Sequence, residues 1–244
     1  MQAVWKDPYT IRSYESSPSG NASIPSICNF FQESAWKHAE QIGLGFRTLA
    51  DKKLYWVLSK FILTMNSLPE WGKTIEIRTW PKGKKRFYAL RDFLLVMPDG
   101  TISAKATSAW IVINAETRGP SRLDFMEEIL NYSKGESALD WDFPKIPIIK
   151  TSSVEVPIKV AYSDLDVNNH VNNVKYIEWI LDVFYPAYPD KKIKTLEIHY
   201  SAEAVLHDTV TLSMSAPLKE DKMLFDCVRH KDGSTIFRGI ITYC

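Results

Sequence analysis

The sequence predicts an α+β fold in which two antiparallel sheets each wrap round a long helix. Three observations predict it. A long helical pattern occurs twice, each time followed by a run of strand-like segments. A Pro-rich stretch of different character separates the two runs. The 244 residues suit one large domain or two small ones, with enough chain for a real core.

The first helical pattern is "NASIPSICNFFQESAWKHAEQIG". It opens on Asn and Ser cap candidates and stops at Gly43, with Ile24, Ile27, Phe31, Ala35 and His38/Ala39 on one face. A largely buried helix from about Ser23 to Ile42 is expected. Four strand-like segments follow: "KLYWVLSKFILTMN", "KTIEIRTWP", "RFYALRDFLLVMPDG" and "TISAKATSAWIVIN". The last two join at "PDGT", a hairpin signal.

Residues 115–153 read as a linker, with Pro120, Pro144 and Pro147 and a short helical pattern near Leu123 to Tyr132. The order then repeats. "VEVPIKVAYSD" reads as a strand, and a helix from Asn172 to about Phe184 puts Val174, Ile177, Leu181 and Phe184 on one face. "IKTLEIHYSAE", "DTVTLSMSAP", "KMLFDCVRHKDG" and "STIFRGIITYC" complete the second run. "EWGKTIEIRTW" parallels "VLHDTVTLSMS", and "MPDGTISAKATSAWIVI" parallels "HKDGSTIFRGIITYC", so an internal duplication is the simplest reading.

A single antiparallel sheet must cover its apolar face, and wrapping it round the long helix does so. This is the hotdog architecture. Two copies in one chain, residues 1–114 and 154–244, predict a tandem (double) hotdog that forms a pseudo-dimer with its sheets joined edge to edge.

Composition excludes several function classes. Hydrophobic residues at 45% and charged residues at 24% are ordinary for a soluble globular protein. A net charge of +1 is no nucleic-acid-binding profile, so an acidic partner would have to meet a local patch. Cys28, Cys227 and Cys244 are odd in number and widely spaced, which argues against a disulfide framework or a zinc site. The start "MQAVWKDPYTIRSYE" lacks an apolar run and no stretch is long and apolar enough to span a membrane, so a cytoplasmic protein is expected. G-x-S-x-G and a phosphate-binding glycine loop are both absent, and no cofactor is implied.

The chemistry-bearing stretch is "YSDLDVNNHVNNVKYIEW", Tyr162 to Trp179. In an extended chain Asp164, Asp166, Asn168 and His170 would share one side. Asn172 or Asn173 would cap the following helix, whose N-terminal amides and dipole favour developing negative charge beside His170. That is raw material for an oxyanion hole, although Asn and Asp also serve simply to cap and turn a chain.

"SDLDVNNHVNNVKYIEWILD" resembles the second-domain motif of acyl-acyl carrier protein thioesterases. "YTIRSYE", "ASIPSICNFFQESAWKHAEQIG", "YWVLSKFILTMNSLPEWGKTIEIRTW" and "TSAWIVINAETRGPSRL" resemble successive blocks of that family's first domain, so the likeness runs along nearly the whole chain. It implies hydrolysis of a fatty acyl thioester carried on the phosphopantetheine arm of acyl carrier protein. It also implies a functional set of Asp166, Asn168, His170 and Glu203, the last in "IHYSAEAVLHDT". Plant members often place a Cys directly after that Glu, whereas this chain has Ala204. Cys227 lies on a different strand pattern and reads as a small core residue.

These residue types fit the reaction. A thiol leaving group with a pKa of about 8.5 departs without a strong general acid. Glu203 is the expected general base, alone or sharing the role with Asp166; a covalent acyl-Asp166 intermediate is the competing route. The matching first-half stretch, "YESSPSGNASIPSICNF", has no His, so the first half is expected to bind the acyl chain, with Phe30, Phe31, Trp36, Trp56, Phe61 and Met65 either lining a tunnel or forming plain core. Lys82, Lys84, Lys85 and Arg86 form either a carrier docking patch or, slightly favoured, a solvated hairpin. His199 and His207 flank Glu203 at four-residue spacing, which matches no common metal-ligand pattern. An acyl-CoA thioesterase, a hotdog dehydratase and a non-catalytic acyl-chain binder are the weaker alternatives, and a homodimer is compatible with all of them.

Overall fold

The structure, a computed structural model, describes residues 3–121 and 137–244. It divides into two compact units, Met1–Asp142 and Phe143–Cys244. The short helix expected at Leu123–Tyr132 lies outside the described residues.

The first unit contains β1 (Trp5–Thr10), α1 (Ile24–Gln41), α2 (Phe46–Ala50), β2 (Leu54–Met65), β3 (Thr74–Lys85), β4 (Tyr88–Val96) and β5 (Ile102–Asn114). Its strands are antiparallel in the order β1-β3-β4-β5-β2. The second unit contains β6 (Ser152–Lys159), α3 (Asn173–Ala187), β7 (Ile193–Tyr200), β8 (Thr209–Ser215), β9 (Lys222–Arg229) and β10 (Thr235–Tyr243). Its order, β6-β8-β9-β10-β7, is the same one repeated. In each unit, an antiparallel sheet with a long helix on one face is a hotdog-like arrangement.

Each helix begins where the sequence places a cap. The Ser23 side chain accepts the Ser26 amide at 3.2 Å, and the Asn172 side chain accepts the Val174 amide at 2.9 Å, each satisfying a donor that the first turn leaves without an intrahelical partner. The predicted apolar faces are buried: Ile24, Ile27, Phe31, Ala35 and His38 on α1, and Val174, Ile177, Leu181 and Phe184 on α3. Rings bridge helix to sheet, with Phe31 5.0 Å from Phe93 and Tyr176 5.3 Å from Phe237. Trp36 points the other way and is exposed, so it lines no enclosed tunnel.

The pattern of the sequence did not announce β1. Its inward positions are Trp5, Asp7 and Tyr9, and the charged Asp7 breaks the apolar alternation. The structure explains Asp7: it accepts hydrogen bonds from Tyr9, Ser34 and Lys37 at 2.7, 3.1 and 3.0 Å. β1 and β6 sit at corresponding ends of the two strand orders, and each carries an exposed proline, Pro8 and Pro157. A proline has no N–H to offer an incoming strand, so it blunts a sheet end against unwanted pairing.

The described part of the expected linker is fastened down rather than free. Asp92, fully buried on β4, accepts the Thr107 hydroxyl and the Ala138 amide, both at 2.6 Å, with Lys82 at 3.5 Å; Lys82 also donates to the Leu139 carbonyl. In the second unit the Ile149 amide donates to Asp226 on β9 at 3.1 Å, and Phe143 and Ile146 are buried.

Gly239 on β10 lies directly under Ile180 of α3. A Cβ built there would lie 3.1 Å from Ile180 Cδ1 and 3.5 Å from Phe225 Cβ. Gly239→Val is therefore expected to destabilise the protein by about 1–3 kcal/mol through overpacking. A urea unfolding midpoint that does not fall would show that α3 can shift at no cost.

Candidate active site

β6 ends at Lys159, and the chain then makes a one-turn 3-10 helix over Tyr162–Asp164. Asp164 closes that turn by accepting the Ala161 amide at 2.8 Å. The next residues are not extended. Leu165 and Val171 form an antiparallel bridge, and a tight turn runs between them. The Asp166 amide donates to the His170 carbonyl at 2.8 Å and the Asn169 amide to the Asp166 carbonyl at 3.1 Å. Asn169 sits at φ +59, a left-handed conformation that asparagine tolerates better than most residues. The expected same-side alignment of Asp164, Asp166, Asn168 and His170 is thus replaced by a turn, because the Asp166 side chain competes for backbone amides. Its Oδ1 accepts the Asn168 and His170 amides at 2.8 and 3.4 Å.

The turn delivers His170 to a second loop. His170 bridges Val205, and the Val171 amide donates to the Ala204 carbonyl at 2.9 Å. Glu203 lies just ahead of that contact, so His170 Nε2 and Glu203 Oε2 come within 3.4 Å. Their side chains remain 29% and 35% exposed, which leaves the pair open to water or substrate. The four predicted residues therefore share one cluster: Asp166 holds the amides of Asn168 and His170, the Asn168 side chain faces Asp166 Oδ2 at 3.5 Å, and His170 meets Glu203. The α3 N-terminus contributes less than expected as a donor. The Val171, Asn172, Val174 and Lys175 amides are taken by Ala204, Asp164 and Asn172, so at those positions only the helix dipole acts on the site.

The remaining candidates fall elsewhere. β7 ends at Tyr200, so His199, Glu203 and His207 do not share a strand. His199 Nε2 contacts Glu197 Oε1 at 2.7 Å, and His230 pairs with the Thr211 hydroxyl at 2.7 Å. Among the described residues no group of His, Cys, Asp and Glu could hold a metal ion. Ala204 is fully buried. Cys227 is buried on β9, where burial, with the Asp226 charge adding, pushes its thiol up to about 12. Burial likewise raises the Cys28 thiol. Neither is poised as a thiolate at neutral pH. In the basic hairpin, Lys82 and Lys85 are engaged by Asp92 and Asp142, while Lys84 and Arg86 are exposed.

The first unit builds the same two-loop frame without this chemistry. Ser16 bridges Ala22, Ser17 donates to the Asn21 carbonyl at 2.7 Å, and Gly20 takes the left-handed place of Asn169. Asn21 bridges Glu70, and Ala22 donates to the Pro69 carbonyl at 2.7 Å. Position for position, Ser17, Ser19, Asn21 and Leu68 stand where the second unit has Asp166, Asn168, His170 and Glu203. Pattern reading singled out neither Tyr176, Asp208 nor Arg229, which the structure sets against the Glu203 loop.

The sequence profile of the acyl-ACP thioesterase N-terminal domain matches residues 2–131, and that of the acyl-ACP thioesterase C-terminal domain matches residues 149–244. The chain belongs to the acyl-ACP thioesterase family. Among curated relatives, the chloroplastic palmitoyl-acyl carrier protein thioesterase of Cuphea hookeriana is 34% identical across 97% of this chain and 61% of its own length. That of Gossypium hirsutum is 32% identical across 97% of this chain and 62% of its own. The chain thus spans about three-fifths of the length of the curated relatives it matches. Two solved family structures share the fold. An acyl-ACP thioesterase from Bacteroides thetaiotaomicron superposes with a TM-score of 0.87 at 24% identity, covering 99% of this chain and 98% of that one. The 12:0-ACP thioesterase from Umbellularia californica superposes with a TM-score of 0.88 at 23% identity, covering 100% and 98%.

In this family member a buried carboxylate ties the Glu203 loop down. Burial alone would raise the Asp208 pKa. The Lys231 hydrogen bond at 2.7 Å, the Val205 amide and the Lys231 and Arg229 charges outweigh it and hold the carboxyl below the usual range. A carboxylate whose folded pKa is depressed stabilises the fold above its unfolded pKa of about 4, and that contribution is lost as pH falls through the folded value. Below about pH 4 the thermal midpoint of the wild type is expected to fall more steeply than that of Asp208→Asn, which lacks the titrating group. Equal slopes would show that Asp208 is not among the groups driving acid unfolding.

Proposed function

We propose that the protein hydrolyses fatty acyl thioesters carried on acyl carrier protein, releasing the free fatty acid and the carrier thiol in fatty acid biosynthesis. The observation that carries this reading is the His170–Glu203 pair at 3.4 Å, partly open to solvent and held by two loops of a family member. Glu203 takes a proton from water as the water attacks the thioester carbonyl. The imidazole of His170 and the Asn168 side chain stabilise the oxygen as it gains charge. The tetrahedral intermediate then expels the thiolate, a good leaving group that needs no strong acid. Asp166 serves as an orienting residue. Its carboxylate is committed to the Asn168 and His170 amides, which favours this role over an acyl-Asp166 intermediate.

The first unit, with Leu68 and Asn21 in place of Glu203 and His170, supplies binding surface for the acyl chain. Phe30, Phe31, Phe61 and Met65 are its buried apolar candidates. The repeated strand order supports reading the chain as a tandem hotdog pseudo-dimer, residues 1–114 and 154–244 joined by 115–153.

Thiol release from a panel of acyl-carrier-protein and acyl-CoA substrates tests this. His170→Ala and Glu203→Ala are each expected to lose on the order of 10²–10⁴-fold in kcat on the carrier-protein substrates. Turnover of CoA esters alone would keep the chemistry and replace the partner. A copurifying fatty acid with no turnover would make the protein an acyl-chain binder. Undiminished turnover by Glu203→Ala would remove it as the base.

A further inference from the structure

The peptide group between Glu203 and Ala204 is clamped by side chains at both its oxygen and its N–H, and the next peptide is held as well. Arg229 Nη1 donates to the Glu203 main-chain oxygen at 2.8 Å. The Ala204 amide donates to the Tyr176 hydroxyl of α3 at 3.1 Å. The Val205 amide donates to Asp208 Oδ2 at 3.2 Å, and the same oxygen lies 3.4 Å from Arg229 Nη1. Asp232 takes the other edge of the guanidinium, at 3.0 Å from Nε and 2.7 Å from Nη2, so the planar fork is fixed with Nη1 aimed at the Glu203 carbonyl. The Arg229 and Asp208 side chains are 14% and 6% exposed, and Tyr176 is buried.

The first unit supplies an internal control. Its loop has the same backbone frame: Asn66 and Ser67 donate to the Ser103 carbonyl as Ser201 and Ala202 donate to that of Ile236. Ile11 donates to Lys73 as Val160 donates to Asp208. In that loop Ile27 stands at the Tyr176 position, Lys73 at that of Asp208 and Met97 at that of Arg229. The loop therefore folds without a tyrosine hydroxyl, a buried carboxylate or a guanidinium. All three appear in the unit where Leu68 is replaced by Glu203.

We infer that Arg229, Asp208 and Tyr176 are positioning residues that hold the Glu203 peptide so its carboxylate meets His170 in reactive geometry. This rests on the reading of Glu203 as the general base. The three side chains act through Glu203 and do not touch substrate. Their loss therefore lowers kcat and leaves KM in place.

The test is steady-state hydrolysis of acyl-carrier-protein by wild type, Tyr176→Phe, Arg229→Met, Arg229→Lys and Glu203→Ala. Tyr176→Phe and Arg229→Met are also combined with Glu203→Ala, and each variant's thermal midpoint is recorded. Arg229→Met is expected to lose on the order of 10²-fold in kcat, the scale of a small misplacement of a reacting group. Arg229→Lys regains part of it. Tyr176→Phe deletes one oxygen and is expected to cost about 3- to 10-fold, keeping the test open if Arg229→Met does not fold. In the Glu203→Ala background neither change should lower the residual rate further, since residues acting as a unit are non-additive. Losses that persist undiminished in that background, with Glu203→Ala itself impaired, would overturn the positioning role and leave Glu203 as base. Full turnover by Glu203→Ala, or none by the wild type, would overturn both.

Discussion

One short contact between two loops governs the rest of the second unit's candidate site. The His170–Val205 bridge and the Val171 hydrogen bond to Ala204 join the turn before α3 to the loop after β7. Neither loop belongs to a strand or helix ladder at that point, so each depends on the other for partners. The consequence is geometric. Two residues more than thirty positions apart in sequence, His170 and Glu203, are held with Nε2 and Oε2 3.4 Å apart. Asp166 and Asp208 serve the same end, each giving its carboxylate to backbone amides of its own loop.

The first unit shows what such a frame does without those side chains. It keeps the turn, the left-handed residue, the helix cap and the loop-to-loop bridge. Serine, asparagine and leucine then occupy the positions of Asp166, Asn168, His170 and Glu203. A frame built from backbone hydrogen bonds tolerates this exchange, because the bonds that define it belong to the main chain. One set of main-chain contacts thus appears twice, and the polar side chains hung on it differ.

Much of this was legible in the sequence. Both long helices, their caps and the strand runs follow from 3.6-residue and two-residue periodicities and from Ser23 and Asn172. The repeat was readable from paired stretches such as "EWGKTIEIRTW" and "VLHDTVTLSMS", whose registers the two sheets reproduce. β1 was hidden because Asp7 interrupts its apolar alternation, and its hydrogen-bond partners Ser34 and Lys37 are distant in sequence. In the site, Asp166, Asn168 and His170 could be singled out as a dense polar run, and Glu203 through its resemblance to the family. Strand alternation misjudged their alignment, since Asp166 caps a turn. Arg229 was invisible for a different reason: an arginine at the end of a strand is common, and only its distant contact with the Glu203 carbonyl distinguishes it.

The residue after Glu203 bears on how the proposed hydrolysis proceeds. Ala204 is fully buried and offers no thiol, and the buried thiols of Cys28 and Cys227 are pushed up, away from the thiolate form. A covalent route would then fall to a carboxylate. Asp166 is poorly suited, because its carboxylate is already committed to the Asn168 and His170 amides. Glu203 differs. Its main-chain oxygen receives the Arg229 guanidinium. The clamp therefore fixes where the side chain begins. A base that activates water needs that arrangement, and the low pKa of the thiol leaving group removes the need for a matching acid.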